Sequence, residues 1–260
     1  MAAKSFITQM MAQGRYCFDT EEAARALGSS SVAVRAALRR LREKGDLAVP
    51  YKGFYVIVEP EYRVIGCLPA SHFIPSLMEY IGEPYYAGLL SAAEYHGAAH
   101  QRPQVFQVVT VRNRPGILCG KVRVEFIARR NVENVPVSDF KTPRGYLKVS
   151  TPEATAFDVI GYPRHAAGLD NAATVLAELA EKIDPQRLVT VAELSPIAWA
   201  QRLGYLLDLV GSGQKAEGLA EYVTGHNPGP TPLDPAIPLN NRDRSKRWRV
   251  FVNATVEAEV

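Results

Sequence analysis

Residues 29–45 constrain the fold of this chain more than any other stretch. They read as one helix with two faces. Val34, Leu38 and Leu41 recur at i, i+4 and i+7 and make an apolar stripe. At about 100° per residue, Arg35, Arg39 and Arg42 fall within roughly 60° of one another, clear of that stripe. The serines before Val32 can cap the helix, and their hydroxyls suit phosphates. Gly45 is a good C-terminal stop. A dry face that docks on a scaffold and a wet basic face are what a recognition helix needs in a major groove. An ordinary surface helix with a solvated charge run has the same residues, so the neighbouring sequence decides between the two.

Those neighbours favour the first reading. Residues 3–13 are expected to form a helix on Phe6, Ile7, Met10 and Met11, ended by Gly14. After the apolar run Tyr16-Cys17-Phe18, Asp19 or Thr20 caps a second helix over 21–27, with acids in its first turn where the helix dipole favours them. Gly28-Ser29-Ser30 is the tight turn of a helix-turn-helix. After Gly45 the period changes. Leu47-Ala48-Val49 and 54–58 are β-branched and aromatic, with Pro50-Tyr51-Lys52-Gly53 as the turn between them. Three helices and a basic-tipped hairpin make a winged helix-turn-helix. Residues 1–60 hold nine Lys and Arg against six Asp and Glu, so the whole net charge of +3 lies there. Such asymmetry marks a module that meets a polyanion. In this reading Arg35 and Arg39, with Ser30 and Ser31 at the helix N-terminus, reach base edges or nearby phosphates. Arg40, Arg42, Lys44 and the wing residue Lys52 complete the DNA-binding set. A winged helix used only for protein contacts is the alternative.

The 260 residues allow one large domain or two, and the fold class expected is α/β (α+β). A winged helix over 1–60 precedes a larger mixed α/β domain over 61–260, mostly helical in its second half. Glu59-Pro60-Glu61-Tyr62 reads as the boundary. Helices are expected over 71–81, with Pro75 in the first turn or at a kink, and over 85–99. Strands are expected over 105–111, 122–127 and 146–149. Thr151-Pro152-Glu153 opens a helix cleanly, with Thr at the N-cap and Pro at N1. Further helices follow over 169–183, 185–193, 196–210 and 216–224, and a last strand over 248–253. The basic run 242–249 before that strand reads either as a solvated edge or as a second phosphate-contacting surface.

No catalytic constellation stands out. Cys17, Cys67 and Cys119 are far apart, odd in number and free of CxxC spacing, which speaks for buried structural thiols in a reducing compartment. His96 and His100 are four apart with Glu94 close by, but Gly97 stands where a metalloprotease helix needs its glutamate, and no third ligand is evident. Glu125, before Arg129 and Arg130, has no second acid at nuclease-like spacing. There is no GxSxG, GxGxxG or GxxxxGK[ST] motif. No catalytic residue, metal or cofactor is therefore expected. No apolar run reaches the about 18 residues of a membrane span, and the N-terminus lacks a signal-peptide core. The expectation is a cytoplasmic protein that does not meet a membrane.

Several longer stretches carry a resemblance. VRAALRRL at 34–41 and GFYVIV at 53–58 are followed by PYYAGLLSAAEYHGAAHQ at 84–101, STPEATAFD at 150–158, QRLGYLL at 201–207 and RWRVFVN at 247–253. In this order, over essentially the whole chain, they resemble the AbiEi antitoxins of type IV toxin–antitoxin systems. The resemblance implies a nucleotidyltransferase-like toxin as functional partner. It also implies an autorepressor that binds inverted repeats in its promoter, hence double-stranded operator DNA as the second partner. The C-terminal domain would carry the antitoxin activity and help the winged helix on DNA, whereas His96, Gly97 and Arg202 can equally hold the fold together. The alternatives are a ligand-sensing transcriptional regulator, which a deep pocket in the second domain would favour, and a nuclease or nucleotide-processing enzyme with an appended winged helix.

Overall fold

The computed structural model of the chain describes residues 2–99, 103–239 and 243–258. In chain order it contains α1 (Ala3–Ala12), β1 (Cys17–Asp19), α2 (Thr20–Leu27), α3 (Ser31–Glu43), β2 (Leu47–Tyr51), β3 (Phe54–Ile57), α4 (Ala70–Ile81) and β4 (Tyr85–Ala87). Next come α5 (Leu89–Tyr95), β5 (Phe106–Thr110), β6 (Ile117–Cys119), β7 (Val122–Ala128), β8 (Val137–Thr142) and β9 (Gly145–Ser150). The second half holds α6 (Pro152–Gly161), α7 (Leu169–Leu179), α8 (Pro185–Glu193), α9 (Ile197–Leu209), α10 (Glu217–His226), β10 (Thr231–Pro232), β11 (Arg244–Ser245) and β12 (Val250–Phe251). This is the mixed α/β class expected, with a helical second half. Two compact units emerge: residues 1–86, 104–132 and 139–148 in one, and 87–103, 133–138 and 149–260 in the other.

The first unit begins with the winged helix. Strands β1, β3 and β2 form an antiparallel sheet in that order, with Cys17 opposite Val56 and Leu47 opposite Ile57. Phe6, Ile7 and Met10 of α1 bury against Phe18, Ala23, Leu27, Val34, Leu38, Leu41, Leu47 and Ile57. Phe18 sits edge-on to Phe6 at 5.1 Å and stacks on Tyr55 at 5.3 Å. Local chemistry fixes the helix ends. The Asp19 carboxylate accepts the Glu22 N–H at 2.7 Å. Gly28 takes φ 57° as the left-handed turn before α3, and the Ser30 hydroxyl accepts the Ala33 N–H at 3.3 Å.

Two details differ from expectation. The run Tyr16-Cys17-Phe18 contributes a strand, β1, too short to show a period of its own. The turn expected over 50–53 shrinks to Lys52-Gly53, because β2 runs on through Tyr51 with its register broken between Ala48 and Tyr51. Pro50 lies in that break and has no N–H to give the ladder.

Beyond the winged helix, α4 packs against β1, β3 and β7 within the same unit. Pro75 stands inside α4, past its first turn, so the Ser71 carbonyl lacks its helical donor. Strand β7 pairs in parallel with β5 and antiparallel with β6, through a turn at Gly120-Lys121. Gly120 has φ +59°, and a Cβ there would stand 2.0 Å from the Ile65 carbonyl oxygen, so only glycine fits.

The helix expected over 85–99 is replaced by β4, whose last residue Ala87 opens the second unit, and by the short α5. Ala87 pairs with Val149 of β9, Gly88 is extended, and Leu89 has φ 51°. The Ala- and Leu-rich composition reads as helix, but the strand pairing outweighs that weak preference. Thr151 caps α6 with Pro152 at N1, as expected. Trp248 is 0% exposed, its indole N–H donates to Asp208 Oδ2 at 2.6 Å, and a Cβ on Gly204 would lie 2.1 Å from its ring. The stretches QRLGYLL and RWRVFVN therefore meet in one packing contact. The Gln201 amide donates to the carbonyls of Gly229 and Arg249, both at 3.1 Å. Short strands β10 and β11 flank β12.

Gly204→Ala is expected to cost about 1–3 kcal/mol by overpacking against Trp248. Gly225→Ala in α10, where nothing lies within 4 Å, is expected to be neutral or to stabilise by up to about 1 kcal/mol. Ser30→Ala is expected to cost about 1 kcal/mol through loss of the α3 cap. Urea unfolding of the three variants measures all of these.

Candidate nucleic-acid interface

The α3 stripe is buried as its spacing requires: Val34 and Leu38 are 1% exposed and Leu41 7%. This burial fixes the rotation of the helix and turns Arg35, Arg39 and Arg42 outward, all three exposed. Arg40 and Lys44, also exposed, project roughly 100° or more further round the helix than Arg39. The eight candidate residues are therefore not one patch on α3. Arg35, Arg39 and Arg42 share a face with Ser31, Arg40 and Lys44 lie on a flank, and Lys52 tips the β2–β3 turn.

Each side chain has a defined setting. Ser30 is the N-cap. The Arg35 Nε donates to the Ser31 carbonyl at 3.2 Å and its Nη2 to the Ser31 hydroxyl at 3.4 Å, so a hydroxyl and a guanidinium sit together at the exposed first turn. Arg39 Nε is 3.5 Å from the Glu43 carboxylate, in a pair whose side chains are both mostly exposed. Arg40 donates to the Ala36 carbonyl at 3.3 Å. The Lys52 carbonyl accepts the Tyr80 hydroxyl at 3.5 Å, which ties the turn to α4.

Several arginines elsewhere in this unit are held by acids. Arg15 pairs with Glu22, Arg63 with Asp46, Arg112 and Arg114 with Glu83, and Arg144 with Glu59. Arg144 also stacks over the Tyr16 ring at 3.5 Å. Arg35, Arg40, Arg42, Lys44 and Lys52 have no acidic partner among the described residues. One residue missing from the sequence-based set belongs with them. Val32 is 70% exposed at the start of α3, on the outward side near Arg35 and Arg39. The available signal was an apolar residue lying off the 34, 38, 41 stripe.

The remaining candidates take structural places. His96 is buried, with Nε2 2.7 Å from the Ser150 carbonyl oxygen, and burial pulls its pKa below the usual histidine value. Lys182 donates to the His96 carbonyl. His100 lies outside the described residues. Among those described, no group of three or more His, Cys, Asp or Glu is placed to hold a metal. Glu125 faces Gln107 across the β5–β7 ladder.

Arg202 donates to the Pro232 carbonyl at 2.8 Å and the Thr231 hydroxyl at 3.1 Å, contacts that hold the fold together. In the basic run, Arg242 is outside the described residues. Arg247 pairs with Glu217 at 2.8 Å, and Arg249 donates to the Pro228 carbonyl at 2.9 Å. Arg244 and Lys246 are exposed. No helix among the described residues is long and apolar enough to cross a membrane.

A comparison with curated proteins finds no match. Among solved structures, the crystal structure of the RV2827C protein from Mycobacterium tuberculosis is 18% identical over 95% of this chain and 90% of that one, with a TM-score of 0.68. At that identity the likeness is one of fold. The crystal structure of an antigenic nucleotidyltransferase-like protein from Paracoccidioides brasiliensis is 10% identical over 58% of this chain and 89% of that one. Its TM-score is 0.37. Two family models match: a transcriptional regulator, AbiEi antitoxin, over residues 7–58, and an AbiEi antitoxin C-terminal domain over residues 86–209. With a winged helix under the first match and the α5–α9 segment under the second, the chain belongs to the AbiEi antitoxin family.

Proposed function

We propose that this protein is the antitoxin of a type IV toxin–antitoxin system and represses its own operon by binding promoter inverted repeats through α3 and the β2–β3 wing. In this reading residues 1–60 are the DNA-binding domain and 61–260 the antitoxin domain. The reading rests above all on the rotation of α3, whose dry stripe is buried while its arginine face stands exposed with few acids to neutralise it. Arg35 and Arg39 read base edges, and Val32 beside them contacts a thymine methyl. Ser30 and Ser31, with Arg40, Arg42, Lys44 and Lys52, hold phosphates and fix the register on the duplex. The protein acts by binding and catalyses no reaction. Its functional partner is a nucleotidyltransferase-like toxin encoded beside it.

A second reading, a regulator that senses a small effector, draws on one observation. A cavity of ≈ 390 Å³ in the second unit is lined by Tyr162, Arg164, His165, Leu169 and Asp234.

Gel-shift titration on the chain's own promoter tests the first reading. Arg35→Ala and Arg39→Ala are each expected to lose about 1–3 kcal/mol, or about 5- to 150-fold in affinity. Unchanged affinity in both variants would rule out this placement. Arg40→Ala, Lys44→Ala and Lys52→Ala are each expected to weaken binding to all sequences alike and to lower the salt slope by about 1. An effector acting through the cavity would instead shift operator affinity when Arg164 or Asp234 is replaced.

A further inference from the structure

Cys67 and Cys119, distant in the sequence, meet in the first unit. Cys67 is fully buried in the segment leading into α4, and Cys119 ends β6 with 9% exposure. The two segments run side by side. The Lys121 N–H donates to the Ile65 carbonyl at 2.7 Å. A Cβ on Gly66 would lie 3.1 Å from the Gly120 Cα, and one on Gly120 would lie 2.9 Å from the Gly66 Cα. Glycines at both positions let the backbones touch, which sets the two thiols side by side and couples their ionisation.

Their surroundings are unequal. The neighbouring Cys67 thiol favours the Cys119 thiolate, as do the Val49 backbone and the Arg42 charge, so the Cys119 pKa is drawn down against the effect of burial. Cys67, beside Cys119 and deeply buried, is pushed up. Burial pushes the pKa of the third thiol, Cys17, up to about 12, which disfavours its thiolate.

We propose that Cys67 and Cys119 form a reversible oxidation site, at which hydrogen peroxide converts the two thiols into an intrachain disulfide. The Cys119 thiolate attacks the peroxide. The O–O bond breaks, an S–O bond forms, and the hydroxide released takes up the proton that Cys119 has lost. The Cys67 sulfur then displaces the sulfenic oxygen: the S–S bond forms, the S–O bond breaks, and the Cys67 proton leaves with that oxygen as water. Both thiols are oxidised, and the peroxide is reduced to water. A dithiol reductant reverses the step by thiol–disulfide exchange. The bridge would tie the chain between β3 and α4 to the β6–β7 hairpin, which packs against wing strand β2. This site is independent of the DNA-binding reading.

The test treats the full-length native protein with hydrogen peroxide, quenches it, denatures it under an alkylating agent and maps the peptides by mass spectrometry. Expected are a Cys67–Cys119 cross-linked peptide, an alkylated Cys17 and loss of the cross-link with dithiothreitol. Cys67→Ser should abolish the bridge and leave a sulfenate at Cys119 that dimedone traps. Cys119→Ser should show neither bridge nor adduct at Cys67, and Cys17→Ser should leave the bridge intact. The proposal is overturned if all three thiols stay alkylatable at a peroxide dose that oxidises free glutathione. It is equally overturned if a bridge forms to Cys17, or if Cys119 passes to the sulfinate with no bridge. The wild-type map decides the matter even if a variant fails to fold.

Discussion

The burial of Val34, Leu38 and Leu41 is the interaction on which the rest of the winged helix depends. Each side chain contributes about 1.5–3 kcal/mol on leaving water. The exposed Arg39–Glu43 pair on the same helix is worth about 0.3–0.5 kcal/mol. The apolar stripe therefore sets how α3 is rotated, and the charges follow. Phe6, Met10 and Leu47 form the other side of the same core, so α1 and the wing take their places through the same contact. The caps at Asp19 and Ser30 and the left-handed Gly28 fix where the helices begin and end, but not which way they face.

Charge bookkeeping in the first unit separates two kinds of arginine. Arg63, Arg114 and Arg144 each face a partly buried carboxylate and hold neighbouring segments together. The α3 cations bond mostly to their own helix backbone or project freely, at little cost in stability. A surface that stabilises the fold spends its charges on itself, whereas one kept for a polyanion leaves them available. This contrast gives the basic stripe more meaning than the chain's modest net charge of +3 does.

Two of the stretches that carry the family resemblance in the second unit serve packing. QRLGYLL supplies Gly204 for the Trp248 ring, and its Gln201 and Arg202 hydrogen-bond backbone carbonyls in the following strand region. RWRVFVN supplies that tryptophan and strand β12. These residues leave few substitutions open: a larger residue at 204 meets an aromatic ring, and a smaller one at 248 leaves a cavity. His96 is similar, its ring bonded to the Ser150 carbonyl next to the Thr151 cap of α6.

The sequence by itself determined the winged helix almost element by element, because helical periods, caps and turn glycines are encoded within a few residues of where they act. It also determined α6 through the Thr151-Pro152 signal, and the cationic face of α3 from spacing alone. It did not reveal β1 or β6, three-residue strands whose only support is a partner elsewhere in the chain. It misread 85–87 as helix because composition there carries no record of the pairing with Val149. The 100° spacing already set Arg40 and Lys44 apart from the arginine face, whereas the 70% exposure of Val32 beside that face came from the tertiary structure. Only the tertiary structure, too, brought Cys67 to Cys119, since the glycines that let two backbones touch show their purpose only when both segments are in place.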